Sequence, residues 1–175
     1  MSERSEHVRE ELGAYLARLW RYGLVLSSNR DCADELVQAT CLRALENAHQ
    51  FTPGTRLDRW LFAILRSIWL NELRSRKVRY GQGLVDPDAL SMDGAEHAET
   101  NSLARQVLTE VSALPEAQRQ TVFLVYVEGL SYREAAEHLS IPIGTVMSRL
   151  AAARMTLGRL AGENFKSATP DETRR

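Results

Sequence analysis

The chain has 175 residues, 44% of them hydrophobic and 26% charged, with a formal net charge of −1; this balance excludes wholesale disorder, and the length suits one domain or two small ones. Arg66 interrupts the richest apolar region, Trp60 to Leu70, so no membrane insertion is expected, and Met1 to Glu11 is polar and acidic, unlike a signal peptide. Cys32 and Cys41 stand nine apart on expected buried helix positions, which fits neither a disulfide framework nor a CxxC metal site, so the expectation is a soluble cytoplasmic protein without metal or cofactor.

In chain order, Val8, Leu12, Tyr15, Leu16, Leu19 and Leu26 recur at threes and fours and predict a first helix. A second opens at Asp31, read as an N-cap with Asp34 three residues on, and its core stripe is Ala33, Val37, Cys41, Ala44 and Ala48. Phe51-Thr52-Pro53-Gly54 breaks the chain. A third helix runs from about Leu57 to Lys77, with Leu57, Trp60, Leu61, Ile64, Leu65 and Ile68 facing the core. Away from that stripe, Arg59, Phe62, Arg66, Trp69, Leu73 and Lys77 form a second ladder of threes and fours. Cations interleaved with aromatics suit single-stranded nucleic acid, whose phosphates meet Arg and Lys while unpaired bases stack on rings. The same Phe62 and Trp69 would pack as well against the first two helices, and spacing alone favours that packing reading.

Residues 80–102 carry five acidic side chains and not one Lys or Arg, with Gly81, Gly83, Pro87 and Gly94 and no sustained apolar period. A structureless stretch of this length is uncommon inside a compact domain and reads as a tether between two units. Its acidity hides basic flanks: residues 1–79 hold thirteen Lys and Arg against ten Asp and Glu, and residues 103–175 hold nine against eight. The predicted class is therefore all-α, with a helical domain over 1–79, a linker over 80–102, a second helical domain over 103–161 and a polar, frayed tail over 162–175.

Beyond the linker, Leu103, Val107, Val111 and Leu114 predict a short amphipathic helix ended by Pro115. Val122 to Val127 has the continuous β-branched look of a buried strand. It is read as helix because Pro115 suits a first turn, Gly129 suits a C-cap, and no second strand pattern exists to pair with it. Ser131-Tyr132-Arg133-Glu134 is a capping box that opens a helix through Leu139. Ser140-Ile141-Pro142 turns the chain, and a last helix carries Val146, Leu150, Ala153, Leu157 and Leu160 on one face. Two helices joined by a tight turn, the second basic, describe a helix-turn-helix whose outer side, with Thr145, Ser148, Arg149 and Ala152, is free to enter a major groove. Small side chains at Ser148 and Ala152 permit close approach, while Arg149 and Arg154 can reach phosphates or a guanine edge. A plain helical hairpin with a solvated basic face has the same periodicity.

Taken together, the blocks closely resemble the extracytoplasmic-function sigma factors, the small members of the sigma-70 family of bacterial initiation factors, from about Leu24 to Leu160. Ala33-Asp34-Glu35-Leu36-Val37-Gln38 with Leu42-Arg43-Ala44 is similar to the family's regions 2.1–2.2. Trp60 to Arg66 with Asn71-Glu72-Leu73-Arg74 is similar to regions 2.3–2.4. Leu114-Pro115-Glu116, Glu128-Gly129-Leu130-Ser131-Tyr132 and Pro142-Ile143-Gly144-Thr145-Val146 with Ser148-Arg149-Leu150 are similar to region 4.

The resemblance implies that Asp34, Glu35, Gln38 and Arg43 dock on the β′ coiled coil of core RNA polymerase, the β and β′ subunits being the partners. It implies that Arg59, Phe62, Arg66, Ser67, Trp69, Arg74, Arg76 and Lys77 recognise and open the minus-ten element. Ser131, Thr145, Met147, Ser148, Arg149, Ala152 and Arg154 would read the minus-thirty-five element of promoter DNA. The linker would run towards the RNA exit path, and the factor would serve a stress or envelope response under an anti-sigma factor. No catalytic residue is expected, because the polymerase carries the catalytic metals. The sequence departs from the family pattern at Ser67, where Asn is usual, at Met147, where Lys or Arg is usual, at Ala152, where Arg is common, and at Ala39, where an acid is common. The rival reading is a stand-alone helix-turn-helix regulator. An enzyme is more distant, since His7, His49, His97 and His138 are scattered and no phosphate loop or nucleophilic setting accompanies them.

Overall fold

The computed structural model describes residues 3–80 and 110–167, with side chains for 4–78 and 110–159. The chain divides into two compact units, residues 1–97 and 98–175. All regular structure among the described residues is helical. The proposed linker, most of the helix expected from Leu103 and the end of the tail lie outside the described residues. The described part of the tail does not fray at Gly162, because the last helix continues to Ser167.

The first unit packs three helices, α1 (Glu3–Ser27), α2 (Arg30–Glu46) and α3 (Leu57–Tyr80). Val8, Leu12, Leu19, Tyr22 and Leu26 form the buried stripe of α1, while Leu16, expected in it, is exposed. A Cβ on Gly23 would stand 3.3 Å from the Ala33 backbone, so α1 and α2 approach closely at a pair of small residues. The turn between them is tight. Ser28 adopts φ 56°, and the Ser27 hydroxyl donates to the Gly23 carbonyl at 2.8 Å and accepts from the Asn29 amide at 3.2 Å. Asn29, not Asp31, is the N-cap of α2: its Oδ1 accepts from the Cys32 amide at 2.9 Å. Asp31 sits in the first turn, where the helix dipole favours its charge. The core positions of α2 are Ala33, Leu36, Thr40 and Ala44. Cys32 and Cys41 are half-buried free thiols, and burial raises the pKa of both.

A short 3₁₀ turn, Ala48–Gln50, leads to Phe51, which is buried between His7 and Trp60 with ring centroids 5.8 and 5.5 Å away. The start of α3 is held by Asp58. Its carboxylate accepts from Arg18 at 2.9 Å and from Arg56 at 2.7 and 3.2 Å, and from the Arg59 amide at 2.9 Å. The Arg18 guanidinium also lies 5.5 Å from the Tyr15 ring centroid and 5.4 Å from that of Phe62, so one side chain joins α1 to both the polar and the aromatic parts of α3.

In the second unit, residues 110–112 are helical. Arg119 donates to the carbonyls of Ser112 and Leu114, each at 3.0 Å, and so ties that turn to α4 (Glu116–Val122). Pro115 stands at the N-cap of α4 rather than inside its first turn. The Val122–Val127 stretch is helical, as expected, but Phe123–Val127 is wound as a π turn, with the Glu128 amide bonding the Phe123 carbonyl at 3.0 Å. Gly129, at φ 70°, then ends the helix. The capping box is complete in both directions: the Glu134 amide reaches the Ser131 hydroxyl at 3.3 Å and the Ser131 amide reaches Glu134 at 2.8 Å. It opens α5 (Tyr132–Leu139), which closes with Ser140 at φ 55° and the Ile141 amide on the Ala136 carbonyl. Helix α6 (Ile143–Ser167) follows and packs Val146, Leu150 and Ala153 inwards.

Burial acts to raise the Asp58 pKa, but the hydrogen bonds from Arg56 and Arg18 outweigh it and hold the carboxyl below its usual value. A depressed pKa contributes stability that is present above the ordinary carboxylate range and lost as pH falls through the folded-state value. Asp58→Asn is expected to destabilise the protein at neutral pH by about 1–3 kcal/mol, since both arginines are partly solvated. The difference from wild type should shrink in acid, as read from urea unfolding at a series of pH values.

Candidate nucleic-acid interface

Helix α3 divides the expected minus-ten residues into three groups. Ser67, Arg74 and Lys77 are exposed, and Arg59, Arg66 and Arg76 are half-buried along the flanks. Phe62 and Trp69 point inwards, with only 1% and 5% of their surfaces exposed. Both therefore pack against the other helices, as spacing alone favours, and the surface place that the resemblance implies for them in the minus-ten ladder is corrected. The core stripe is Leu57, Leu61, Phe62, Leu65 and Trp69, while Ile64 and Ile68 are only half-buried. The reason is that α3 is covered from two sides. Phe62 meets Tyr22 of α1 at 5.2 Å between ring centroids, and contact with both α1 and α2 turns the buried arc towards the aromatic side of the ladder.

Polar contacts fix part of the cationic side. Arg76 pairs with Glu72 at 3.0 Å and its guanidinium lies 5.9 Å from the Trp69 ring centroid, so the buried indole positions a cation at the surface. Arg74 donates to Asn71 Oδ1 at 2.8 Å. Ala63, Ser67, Asn71 and Arg74 form one exposed ridge at intervals of four, four and three. Ala63 and Asn71 lie within the blocks similar to regions 2.3–2.4 but not among the expected site residues; the spacing places them on this ridge once the core side of α3 is known.

On α2, Asp34, Glu35, Gln38 and Arg43 are all exposed. Asp34 accepts a 2.8 Å hydrogen bond from Trp20 Nε1 of α1, which fixes one carboxylate of this face. The same helix leaves Leu42 at 60% and Leu45 at 38% exposure. Two large apolar side chains among charges mark a contact surface more strongly than the charges do. By sequence Leu42 is one apolar residue of a motif block, and apolarity alone predicts burial.

On α6, Met147 and Ser148 are exposed, whereas Thr145, Arg149 and Ala152 are half-buried. The Ser148 hydroxyl donates to the Thr145 carbonyl at 3.0 Å. Arg154 is exposed and donates to the Tyr126 hydroxyl at 3.1 Å. Ser131 is exposed, and its hydroxyl is engaged in the cap of α5. Gly144, Ser148 and Ala151 share the outermost side of α6, so its centre is small and uncharged, with cations at its edges. Among the described residues there is no group of three or more potential metal ligands, and no helix is long and apolar enough to cross a membrane.

Residues 12–79 match sigma-70 region 2, and residues 104–157 match sigma-70 region 4. The chain is 34% identical over 176 residues to the ECF RNA polymerase sigma factor EcfG of Rhodopseudomonas palustris, covering 97% of this chain and 93% of that protein. This chain is an extracytoplasmic-function sigma factor of the sigma-70 family. It is also 34% identical to a probable RNA polymerase sigma-C factor of Mycobacterium bovis, across 79% of this chain and 75% of the relative. The sigma factor RpoE of Bartonella quintana, solved with the anti-sigma factor NepR, aligns with a TM-score of 0.73 at 28% identity, covering 90% of this chain and 98% of that one. CnrH, solved with the cytosolic domain of CnrY, shares the fold with a TM-score of 0.59 at 22% identity, covering 92% of this chain and 94% of that one. The sigma-70 region 4 match falls on the unit that contains the helix-turn-helix, and the region 2 match on the three-helix unit.

The burial of Trp69 sets a stability expectation. Trp69→Ala should destabilise this sigma factor by about 3–5 kcal/mol, because the cavity adds to the lost transfer energy. Ser67→Ala, on the exposed ridge, should stay within about 0.5 kcal/mol of wild type. Denaturant unfolding of the full chain followed by circular dichroism measures both.

Proposed function

We infer that this sigma factor joins core RNA polymerase through the outer face of α2 and reads promoters with α3 and α6. Asp34, Glu35, Gln38 and Arg43, with Leu42 and Leu45 between them, would meet the β′ coiled coil. Apolar side chains exposed within a ring of charges are the kind of surface that a partner desolvates. Ser67, Arg74, Lys77 and the flanking Arg59, Arg66 and Arg76 would hold the opened minus-ten strand, with Phe62 and Trp69 supporting that face from within. Ser131, Thr145, Met147, Ser148, Arg149, Ala152 and Arg154 would meet the minus-thirty-five element. Residues 80–102 would pass through the polymerase towards the RNA exit path. Because RpoE of Bartonella quintana is described in complex with an anti-sigma factor, an anti-sigma factor is the proposed regulator, and a stress or envelope response the proposed setting. The observation that carries this reading is that the helix-turn-helix lies in the same chain as an α2 face bearing exposed Leu42 and Leu45.

The direct experiment combines the purified chain with core polymerase. Binding followed by initiation at a subset of promoters supports the reading, while tight sequence-specific DNA binding by the isolated chain without core affinity supports the autonomous regulator. Specific binding is expected only in the holoenzyme, since few cations line α6 and each released counterion adds little at physiological salt.

Two substitutions refine the assignment. Leu42→Asp should weaken association with core polymerase by about 1–3 kcal/mol without lowering the melting temperature, because the side chain makes little of the fold. Arg149→Ala should weaken holoenzyme binding to promoter DNA by about 1–3 kcal/mol, measured by fluorescence anisotropy.

A further inference from the structure

We propose that Tyr126, which lies outside the helix-turn-helix, is a DNA-backbone contact that works together with Arg154. The inference rests on the reading of α6 as the helix that enters the major groove.

Val146, Leu150 and Ala153 face the core of the second unit. At 100° per residue, Arg149 and Arg154 therefore fall on opposite flanks of α6, about 140° apart. A helix seated in a major groove has a phosphate strand on each side, so the two cations suit different strands. Arg149 is half-buried, whereas Arg154 is exposed and would otherwise be a long, freely turning side chain. Its guanidinium instead donates to the Tyr126 hydroxyl at 3.1 Å.

Tyr126 belongs to the π turn that follows α4, in which Phe123 and Leu124 are buried and Tyr126 is 55% exposed. Its hydroxyl oxygen accepts from Arg154, which leaves the hydroxyl proton available to a second acceptor. A hydroxyl that accepts from a cation is a stronger donor in turn. Arg154 keeps its other N–H groups for the same acceptor. Hydroxyl and guanidinium together present donors from two different helical segments, a geometry that fits the non-bridging oxygens of one phosphate. The contact carries no base information. Tyr126 would hold Arg154 in place before DNA arrives, reducing the ordering cost on binding, and would add a donor of its own.

The test uses holoenzyme reconstituted with wild type, Tyr126→Phe, Arg154→Ala and the double variant, on a cognate promoter and single-base variants of its minus-thirty-five element over a range of salt. Tyr126→Phe keeps the exposed ring, so its melting temperature should match wild type. Its promoter affinity should fall about three- to ten-fold, equally across the base variants. Arg154→Ala should lower the salt slope by up to about one, and adding Tyr126→Phe to it should cause little further loss. The proposal is overturned by unchanged affinity for Tyr126→Phe, by a loss confined to particular base pairs, or by fully additive losses in the double variant. If wild type initiates normally while Tyr126→Phe is silent, this contact alone is wrong. If wild type does not form holoenzyme at all, the functional reading falls and takes the contact with it.

Discussion

The carboxylate of Asp58 is the point on which the first unit turns. It lies almost out of water at the start of α3, yet it is satisfied by two guanidiniums and a backbone amide. A buried charge with incomplete partners would be costly, and replacing one partner leaves the other exposed to that cost. Arg18 reaches it from α1, forty residues earlier, and on the way lies against Tyr15 and Phe62. The placement of α3 against α1, and therefore which of its sides faces water, follows from this one group and the aromatic contact beside it. The exposed Ser67 and Arg74, proposed to face the promoter, depend on a residue that touches no DNA in that proposal.

The second unit is organised by local rules instead. Its helix boundaries are set by a glycine at positive φ, a two-way capping box, a serine in the left-handed region and a proline. None of these needs a distant partner. Helices α4 and α5 then pack against α6, burying its Val146, Leu150 and Ala153. Left on the outside of α6 are small side chains at Gly144, Ser148 and Ala151, which let a duplex come close, and arginines to either side.

This difference explains what could be read in advance. The capping box at Ser131, the stop at Gly129 and the inward Val146 and Leu150 are legible because their causes lie within a few residues of sequence. Helix α3 is legible as a helix but not in its rotation. Both of its apolar ladders have helical spacing, and only the long-range contacts of Phe62 with Tyr22 and of Asp58 with Arg18 decide that the buried arc takes Leu57, Leu61 and Leu65 from one and Phe62 and Trp69 from the other. The N-cap of α2 was displaced for a similar reason, since Asp31 and Asn29 are both good caps and the Ser27 hydroxyl, bonded back to α1, selects Asn29. Leu42 and Leu45 could not be told from core residues by pattern, because apolarity predicts burial until the neighbouring helices are placed.

The π turn at Phe123–Val127 holds one more residue per bonded ring than an α-helix would. It therefore takes up one extra residue between α4 and everything after Gly129 while nearly keeping their phase. Loss of a single residue there would let the segment relax into ordinary α-helix with little change of phase, because the five residues of the π turn cover close to the rotation of four α-helical ones. A one-codon deletion would thus keep the direction of the helices that follow and remove the bulge alone, whereas truncating the buried Phe123 or Leu124 would disturb the packing that holds that direction. The composition of this segment is thus under tighter constraint than its length: two buried side chains anchor it, and the residue it has in excess puts Tyr126 and Val127 at the surface.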